Sequence, residues 1–387
     1  MEADVGSLTE ATRKGAGAVL SQEETLGKGA LRTGLSNAAI AELLAREAEQ
    51  ADGIRQRAFR RAARNAFLWP EHARDLFATG RVLTELKGIG PFIARQLQVW
   101  LEKPPARIPA PPLRRDFLAL ADARDLLAAR PAWAEALRGD LQMHTLWSDG
   151  SGSVAEMAEA ARARSYEYIA ITDHSKGLKI AGGIDEIALA KQGGEIAATN
   201  SAFRAKGDRL VVLRSLEMNL NPRGEGDMEA ESLGSLDLVL GSFHSALRTT
   251  DDQTGRYLAA LRNPHAQIHG HPRGRIYNYR LGLKADWSRV FAEAARLDKA
   301  VEIDSYPDRQ DLHFSLLKIA RREGVRISLG TDAHHPWQLG FIELGLAAAL
   351  KAKIPADRII NFMPLPRLLA WVRKIRSSSS RRRRLES

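Results

Sequence analysis

From about residue 138 the chain alternates short apolar runs with longer amphipathic spacers. The runs are Asp140-Leu141-Gln142-Met143-His144, Tyr168-Ile-Ala-Ile-Thr-Asp173-His174, Leu210-Val-Val-Leu-Arg-Ser-Leu-Glu217, Leu238-Val-Leu-Gly-Ser-Phe-His244, Gln267-Ile-His269-Gly-His271, Ala300-Val-Glu302-Ile-Asp304 and Val325-Arg-Ile-Ser-Leu-Gly-Thr-Asp332-Ala-His334. They read as seven strands, and the spacers between them are of helix length. Ser153-x-x-Glu156 is a capping box that opens the first spacer helix. Parallel strands joined by helical crossovers make an α/β domain, closed into a barrel or left as an open twisted sheet.

Upstream the pattern differs. Residues 1–34 are rich in Gly, Ala, Ser and Glu without sustained periodicity and are expected to be disordered. From Ser36 the period is helical, with Ile40, Leu43, Leu44 and Ala48 on one face. A second helix through Ile54–Phe67 gathers Arg57, Arg60, Arg61 and Arg64 on one side, opposite Phe59, Ala62, Ala63 and Ala66. Solvation alone explains such a face equally well. The next segment tips the balance, because Leu83, Leu86, Ala94 and Leu97 flank Lys87-Gly88-Ile89-Gly90 at helical spacing. Two helices joined through those glycines make a tight turn whose backbone N–H groups can approach a phosphate at the start of the second helix.

Composition bounds the rest. The chain has 387 residues, long enough for more than one domain. Without cysteine it has neither disulfides nor thiolate metal sites, so any metal falls to His, Asp and Glu. No apolar run of membrane-spanning length and no signal peptide is evident, which leads us to expect a cytoplasmic protein with no membrane partner. Of the net charge of +10, residues 371–387 carry seven basic and one acidic residue, so the body is only weakly basic. That Ser/Arg stretch is expected to be a disordered tail.

The candidate chemistry lies at the carboxyl ends of the strands, where barrel enzymes build their sites. His144, Asp149, His174, Glu217, His244, His271, Asp332 and His334 fall there. A lone histidine after a strand is usually only hydrogen-bonded. Five of the ten histidines in that position together with three acids point instead to a polynuclear metal site. His72, His265, His313 and His335 lack the placement, and His269 points to the other side of its strand from its neighbours.

At these residues the sequence resembles the PHP (polymerase and histidinol phosphatase) domain family. The resemblance spans about residues 138–345 through D-L-Q-M-H-T-x-x-S-D-G, I-T-D-H-S, S-L-E-M-N, S-F-H-S, G-H-P-R-G-R and G-T-D-A-H. It implies a distorted seven-stranded (β/α)7 barrel and two or three divalent ions, Mn²⁺ or Zn²⁺. One ion would use His144, Glu217 and Asp332, a second Glu217, His244 and His271, and a third Asp149, His174 and His334, with Glu217 as the bridge. Where the family has histidine this chain has Gln142. An amide oxygen suits a hard ion but is a poor zinc donor, so the first ion is expected to bind more weakly. Glu217 and Asp332 are the expected catalytic acids, and Arg275 is placed to clamp a phosphate oxygen.

Residues 83–97 look like a helix-hairpin-helix motif, and residues 36–102 resemble the N-terminal domain of family X DNA polymerases. Bacterial members of that family also carry a PHP domain. Here about thirty-five residues separate the two, too few for a polymerase domain. The expected organisation is therefore a small all-α helix-hairpin-helix domain (35–103), a Pro-rich linker with a helix (104–137), a PHP metallo-phosphoesterase barrel (138–370) and the tail. Animal polymerases of the family use a lysine as a Schiff-base lyase; the aligned residue is Gln96, so no such activity is expected. The resemblance implies a metal-dependent 3′–5′ exonuclease in DNA repair, with 3′-phosphate removal and cleavage at abasic sites as neighbouring activities. It would hold DNA through its phosphates without reading sequence, using Arg57, Arg60, Arg61, Arg64, Lys87, Gly88, Ile89 and Gly90. The alternatives are a small-molecule phosphatase of the histidinol-phosphate kind and a catalytically weakened DNA-binding module.

Overall fold

The computed structural model describes residues 34–106 and 109–386. The segment expected to lack order at the N-terminus lies, all but its last residue, outside the described residues. Four helices form an N-terminal lobe: α1 (Asn37–Gln50), α2 (Gly53–Ala66), α3 (Ala73–Ala78) and α4 (Pro91–Glu102). Ser36 caps α1 by accepting the Ala39 N–H at 3.2 Å. Ile40, Leu44 and Ala48 then pack on Phe59, Ala62, Ala63 and Ala66 in one core. That packing leaves Arg57, Arg60, Arg61 and Arg64 exposed on the outer face.

The Gly88 turn differs from the expected pair of helices. Only a 3-10 turn, Leu83–Glu85, precedes it. Gly80, at φ +74°, stops the chain before it, and too few residues remain before Gly88 to build a full helix. Gly88 itself sits at φ +82°, and a Cβ there would collide with the Asn65 side chain, so only glycine fits. Trp69, fully buried, anchors the turn by donating its Nε1–H to the Lys87 carbonyl at 3.1 Å.

The rest is mixed α/β with parallel sheets. β1 (Gly139–Asp140), β2 (Tyr168–Ile171) and β3 (Val211–Arg214) form a three-stranded sheet in that order. β4 (Glu217–Asn219), β5 (Leu240–Ser242), β6 (Ile268–His269), β7 (Ala300–Asp304) and β8 (Arg326–Gly330) form a five-stranded one. The single strand expected over 210–217 is thus two, separated by Ser215 and Leu216, because its first half pairs with β2 and its second with β5. The sheets meet along both edges. Beyond β2, the Ser175 N–H donates to the Glu217 carbonyl and the Glu217 N–H to the Asp173 carbonyl, each at 3.1 Å. Beyond β1, the Asp332 N–H donates to the Gln142 carbonyl at 3.1 Å and the His144 N–H to that of Ala333 at 2.7 Å. Asn361 strengthens this seam, since its amide donates to the carbonyls of Gly139 and Leu329 and accepts the Leu329 N–H. Helices including Val154–Arg162, Glu186–Ala205, Thr254–Arg262, Trp287–Arg296, Phe314–Glu323 and Ile342–Lys351 fill the spacers.

The expected tail requires correction. Residues Leu365–Glu386 form one helix, and Leu368, Trp371, Val372 and Ile375 are buried against Leu213, Leu240, Ile268 and Ala300 at the amino ends of the strands. Composition hid this, because the Ser/Arg run masks an apolar stripe at helical spacing just before it. Trp371 also donates its Nε1–H to the Asp298 carbonyl at 2.8 Å.

The two lobes are clipped together. Phe67 and Phe117 both meet Tyr277, from the segment after β6, with ring centroids 5.1 Å apart. Buried Arg114, in the connector, reaches Glu42 at 2.8 and 3.0 Å and Asn278 at 3.0 Å. Replacing Trp371 by Ala is expected to destabilise the protein by about 3–5 kcal/mol, the usual cost of emptying a buried indole site. Urea denaturation followed by circular dichroism measures it, and a loss below about 1 kcal/mol contradicts the role of this helix as a plug.

Candidate metal centre

At the carboxyl ends of the strands the side chains converge. The Glu217 carboxylate, fully buried, is the hub. Its Oε1 lies 2.5 Å from His271 Nε2 and 3.1 Å from His244 Nε2. Its Oε2 lies 3.2 Å from His174 Nδ1 and 3.4 Å from His144 Nε2. His144 also approaches Asp332 at 2.9 Å. Its ring packs against those of both His174 and His334, with centroids at 4.3 and 4.4 Å. Asp149 completes the far side, 3.3 Å from His334 and 3.6 Å from His174.

Three overlapping sets of donor atoms lie within 4.8 Å of one another: His144, Asp149, His174 and His334; His174, Glu217 and His244; and His144, Glu217 and Asp332. All eight acid and histidine ligands expected from sequence are therefore gathered in one place, with His271 joined through Glu217. The donor set fits divalent ions. His144 Nδ1, His174 Nδ1 and His244 Nε2 are buried and make no hydrogen bond, the condition of an imidazole nitrogen kept free to ligate.

Electrostatics favour the ligating forms of Glu217, Asp332 and His174. Burial pushes Glu217 up, but the charges of His174, His271 and His244 outweigh it and hold the carboxyl well below its ordinary range. Burial likewise opposes Asp332, where Arg309 and His144 prevail and lower it. Burial brings His174 down to about 3, so it is neutral. His334 goes the other way: despite burial, its hydrogen bond to Asp149 and the charge of Asp332 push it up to about 9.

Surrounding groups fix the ligands in place. Asp173, buried behind the histidine it precedes, accepts hydrogen bonds from the Thr145 N–H at 2.8 Å, Thr145 Oγ1 at 2.6 Å, Ser148 Oγ at 2.5 Å and Gln192 Nε2 at 2.6 Å. It thereby shapes the loop carrying His144 and Asp149. His244 Nδ1 is 3.1 Å from Asn219 Oδ1, and His334 Nδ1 is 2.7 Å from the Asp332 carbonyl. Asp332 sits at φ +52°, a left-handed conformation that turns its carboxylate back towards His144.

Two expected site residues are corrected. The Gln142 side chain is buried beside Glu302, and with its amide nitrogen turned towards that carboxyl it donates at 2.6 and 2.7 Å. It serves as a hydrogen-bond partner of Glu302, which also accepts the His271 N–H at 2.7 Å and which burial raises to about 8. Arg275 holds the connector: its guanidinium donates to the carbonyls of Arg115 and Asp116 and lies 3.8 Å from the Phe117 ring centroid. The arginine that reaches the cluster is Arg309, about one-third exposed, with Nη1 2.9 Å from Asp332 and Nε 3.8 Å from Asp304. Glu302 and Asp304 were legible as strand-end acids; nothing in the sequence singled out Arg309.

Two of the residues expected to hold DNA, Arg64 and Lys87, come near the segments that flank the centre. Among the described residues, none of Arg57, Arg60, Arg61, Arg64 and Lys87 is paired with a carboxylate. The Arg64 charge reaches Asp308, the neighbour of Arg309. Lys87 lies 5.6 Å from the ring centroid of Trp337, three residues beyond His334. Ile89 is buried in the lobe's core, while Gly88 and Gly90 lie at the turn.

A rim of buried imidazoles and carboxylates on parallel strands, in a chain whose relatives are named phosphatase and exonuclease, defines a metal-dependent hydrolase. No family model matches the chain. The chain is similar to the DNA polymerase/3′-5′ exonuclease PolX of Bacillus subtilis, 34% identical over 239 residues, a match covering 62% of this chain and 41% of that protein, so it spans less than half of that relative. It is also 27% identical over 234 residues to a probable phosphatase of Thermoanaerobacter sp., covering 57% of this chain and 89% of that one. A histidinol phosphate phosphatase of Lactococcus lactis, solved with zinc, L-histidinol and phosphate, matches with a TM-score of 0.40 and 19% identity over 56% of this chain and 93% of that one.

Two outcomes follow from the centre's electrostatics. Without ions, the raised His334 contributes stability that is complete below its ordinary value of 6.5 and is lost as pH rises through about 9. Chelated protein is therefore expected to weaken between those values while Mn²⁺ affinity grows, with at least one proton released per chain at neutral pH, since, despite burial, the charge of Glu217 raises His271 as well. Calorimetry in buffers of different ionisation enthalpy measures that release, and metal binding without it contradicts the assignment of His334. For Gln142→Ala, stability is expected to fall by about 1–3 kcal/mol, as Glu302 loses its partner, with the number of bound Mn²⁺ unchanged. Elemental analysis showing one ion fewer would instead make Gln142 a ligand.

Proposed function

We propose that the chain is a metal-dependent phosphoesterase acting on DNA, a 3′–5′ exonuclease in repair, built as a distorted PHP-type barrel in which the segment 210–217 is broken into two strands, with a helical lobe whose Gly88 turn stands in for a helix-hairpin-helix. The observation that supports the DNA assignment is the basic face of α2, without a carboxylate partner among the described residues, whose Arg64 reaches Asp308 beside Arg309, together with Lys87, which lies over Trp337 close in sequence to His334. A polyanion neutralises such a face, whereas a small phosphomonoester has no contact with it.

His144, Asp149, His174, Glu217, His244, His271, Asp332 and His334 would hold the ions. Bound there, the ions supply an activated water near neutral pH and neutralise charge on the leaving oxygen. The remaining work falls to the chain. Arg309, fixed on one side by Asp332, presents its free edge to a phosphate oxygen, the planar fork suiting bidentate binding. Glu217 and Asp332, held ionised, keep the centre negative enough to retain cations at neutral pH. Gln142 and Glu302 orient His271 from behind through its backbone N–H.

A second reading, a small-molecule phosphatase, is favoured by the probable phosphatases, whose length the chain nearly spans, 89% of one of them. The two separate cleanly. With Mn²⁺ and 5′-labelled single-stranded DNA the protein is expected to produce a ladder shortening from the 3′ end, and to hydrolyse p-nitrophenyl phosphate far more slowly. Rapid phosphomonoester turnover with intact DNA selects the phosphatase. Arg309→Ala is expected to lower the rate on DNA roughly 100-fold, on the order of one lost charge-assisted contact in the transition state, with bound metal unchanged by elemental analysis. An unaltered rate removes Arg309 from the site.

A further inference from the structure

Trp337 stands out on the rim because its indole is 56% exposed although it belongs to a rigid element. It lies in the 3-10 helix Pro336–Phe341, which begins two residues after His334. Gln338, its neighbour, accepts the His334 N–H at 2.6 Å and donates to Tyr306 Oη at 3.3 Å, tying that turn to the metal centre. The Phe341 ring supports the indole edge-on at 5.2 Å and in turn meets Tyr306 at 5.4 Å. From the other lobe, Lys87 of the glycine turn reaches over the ring at 5.6 Å. The indole is therefore held beside a cation suited to a phosphate and tied, through the neighbouring Gln338, to the turn of His334, with more than half of it exposed.

We propose that Trp337 is a stacking platform for a nucleobase of a DNA single strand, seated between the turn at Lys87–Gly90 and the metal centre. The proposal rests on the reading of the chain as a DNA phosphoesterase and adds to it the contact that separates the bases from the backbone. An exposed indole is unfavourable in water unless something covers it, and an indole offers a nucleobase a sequence-tolerant partner of about 1–3 kcal/mol. Its immobile support keeps the entropic cost of such a contact low. The lysine beside it adds the complementary half: a phosphate on Lys87 and a base on the indole are what one nucleotide presents. Two units of chemistry, one from each lobe, thus meet at one point on the surface.

The test uses the full-length protein loaded with Mn²⁺ and a phosphorothioate-linked oligonucleotide, which it binds without consuming, carrying 2-aminopurine near the 3′ end. Wild-type protein is expected to quench the 2-aminopurine on binding. Trp337→Ala is expected to bind roughly ten-fold more weakly and to lose the quenching, while Trp337→Phe retains most of both. Hydrolysis of p-nitrophenyl phosphate, which offers no stacked base beside its phosphate in the same register, is expected to stay unchanged in both variants, showing that the centre is intact. Equal affinity and equal quenching for wild type and Trp337→Ala overturn the platform while leaving the DNA assignment standing. Failure of the wild-type protein to bind the oligonucleotide overturns both.

Discussion

A buried carboxylate surrounded by four imidazoles sets the terms for the rest of the molecule. Glu217 has no exposed surface and no salt bridge to arginine or lysine among the described residues; its immediate neighbours are His144, His174, His244 and His271. An ionised acid is tolerable at that depth only where positive charge is at hand. Imidazoles supply it when protonated, and divalent cations supply it when the imidazoles are neutral. The same arrangement that makes an isolated Glu217 costly makes the centre avid for cations. The outer supports are consistent with it: Asp173 orders the loop of His144 and Asp149, and Asn361 joins the strands on which His144 and Asp332 stand.

How much of this the sequence disclosed depends on whether the controlling interactions are local. Strand-end histidines and acids repeat at regular intervals, so all eight could be named without knowing how the strands meet. The alternation of apolar run and helical spacer likewise indicated parallel sheets. The two misassignments involve contacts across long separations. Gln142 turns to Glu302, and Arg275 turns to the connector at Arg115 and Asp116, pairings 160 positions apart or nearly so. Arg309 was invisible for the same reason, since only the close approach of β7 and β8 sets it against Asp332. The C-terminal helix was missed for another reason: four serines and seven arginines dominate its composition, yet Trp371, Val372 and Ile375 decide where it goes.

The basic face of α2 shows what an unpaired charge can and cannot say. Surface arginines are ordinary, and a salt bridge for each would have contributed little. What gives this set meaning is its company: Arg64 reaches Asp308 beside Arg309, and Lys87 of the glycine turn lies over the half-exposed Trp337. The turn is not the pair of full helices anticipated, and its tightness comes from Asn65 lying against Gly88 rather than from helix packing.

The aromatic clip of Phe67, Phe117 and Tyr277 bears on how the protein comes apart. The core of the helical lobe is completed by Ala119 from the connector and Tyr277 from beyond β6, so a cut after α4 would remove part of that core. A fragment ending near residue 103 would leave Phe67 facing water, and a fragment starting near 112 would do the same to Tyr277. The lobes, distinct in architecture, are thus one cooperative unit in thermodynamic terms. Heat is expected to unfold them together, in a single calorimetric transition whose enthalpy belongs to the whole chain, so that a substitution in either lobe shifts the melting of both.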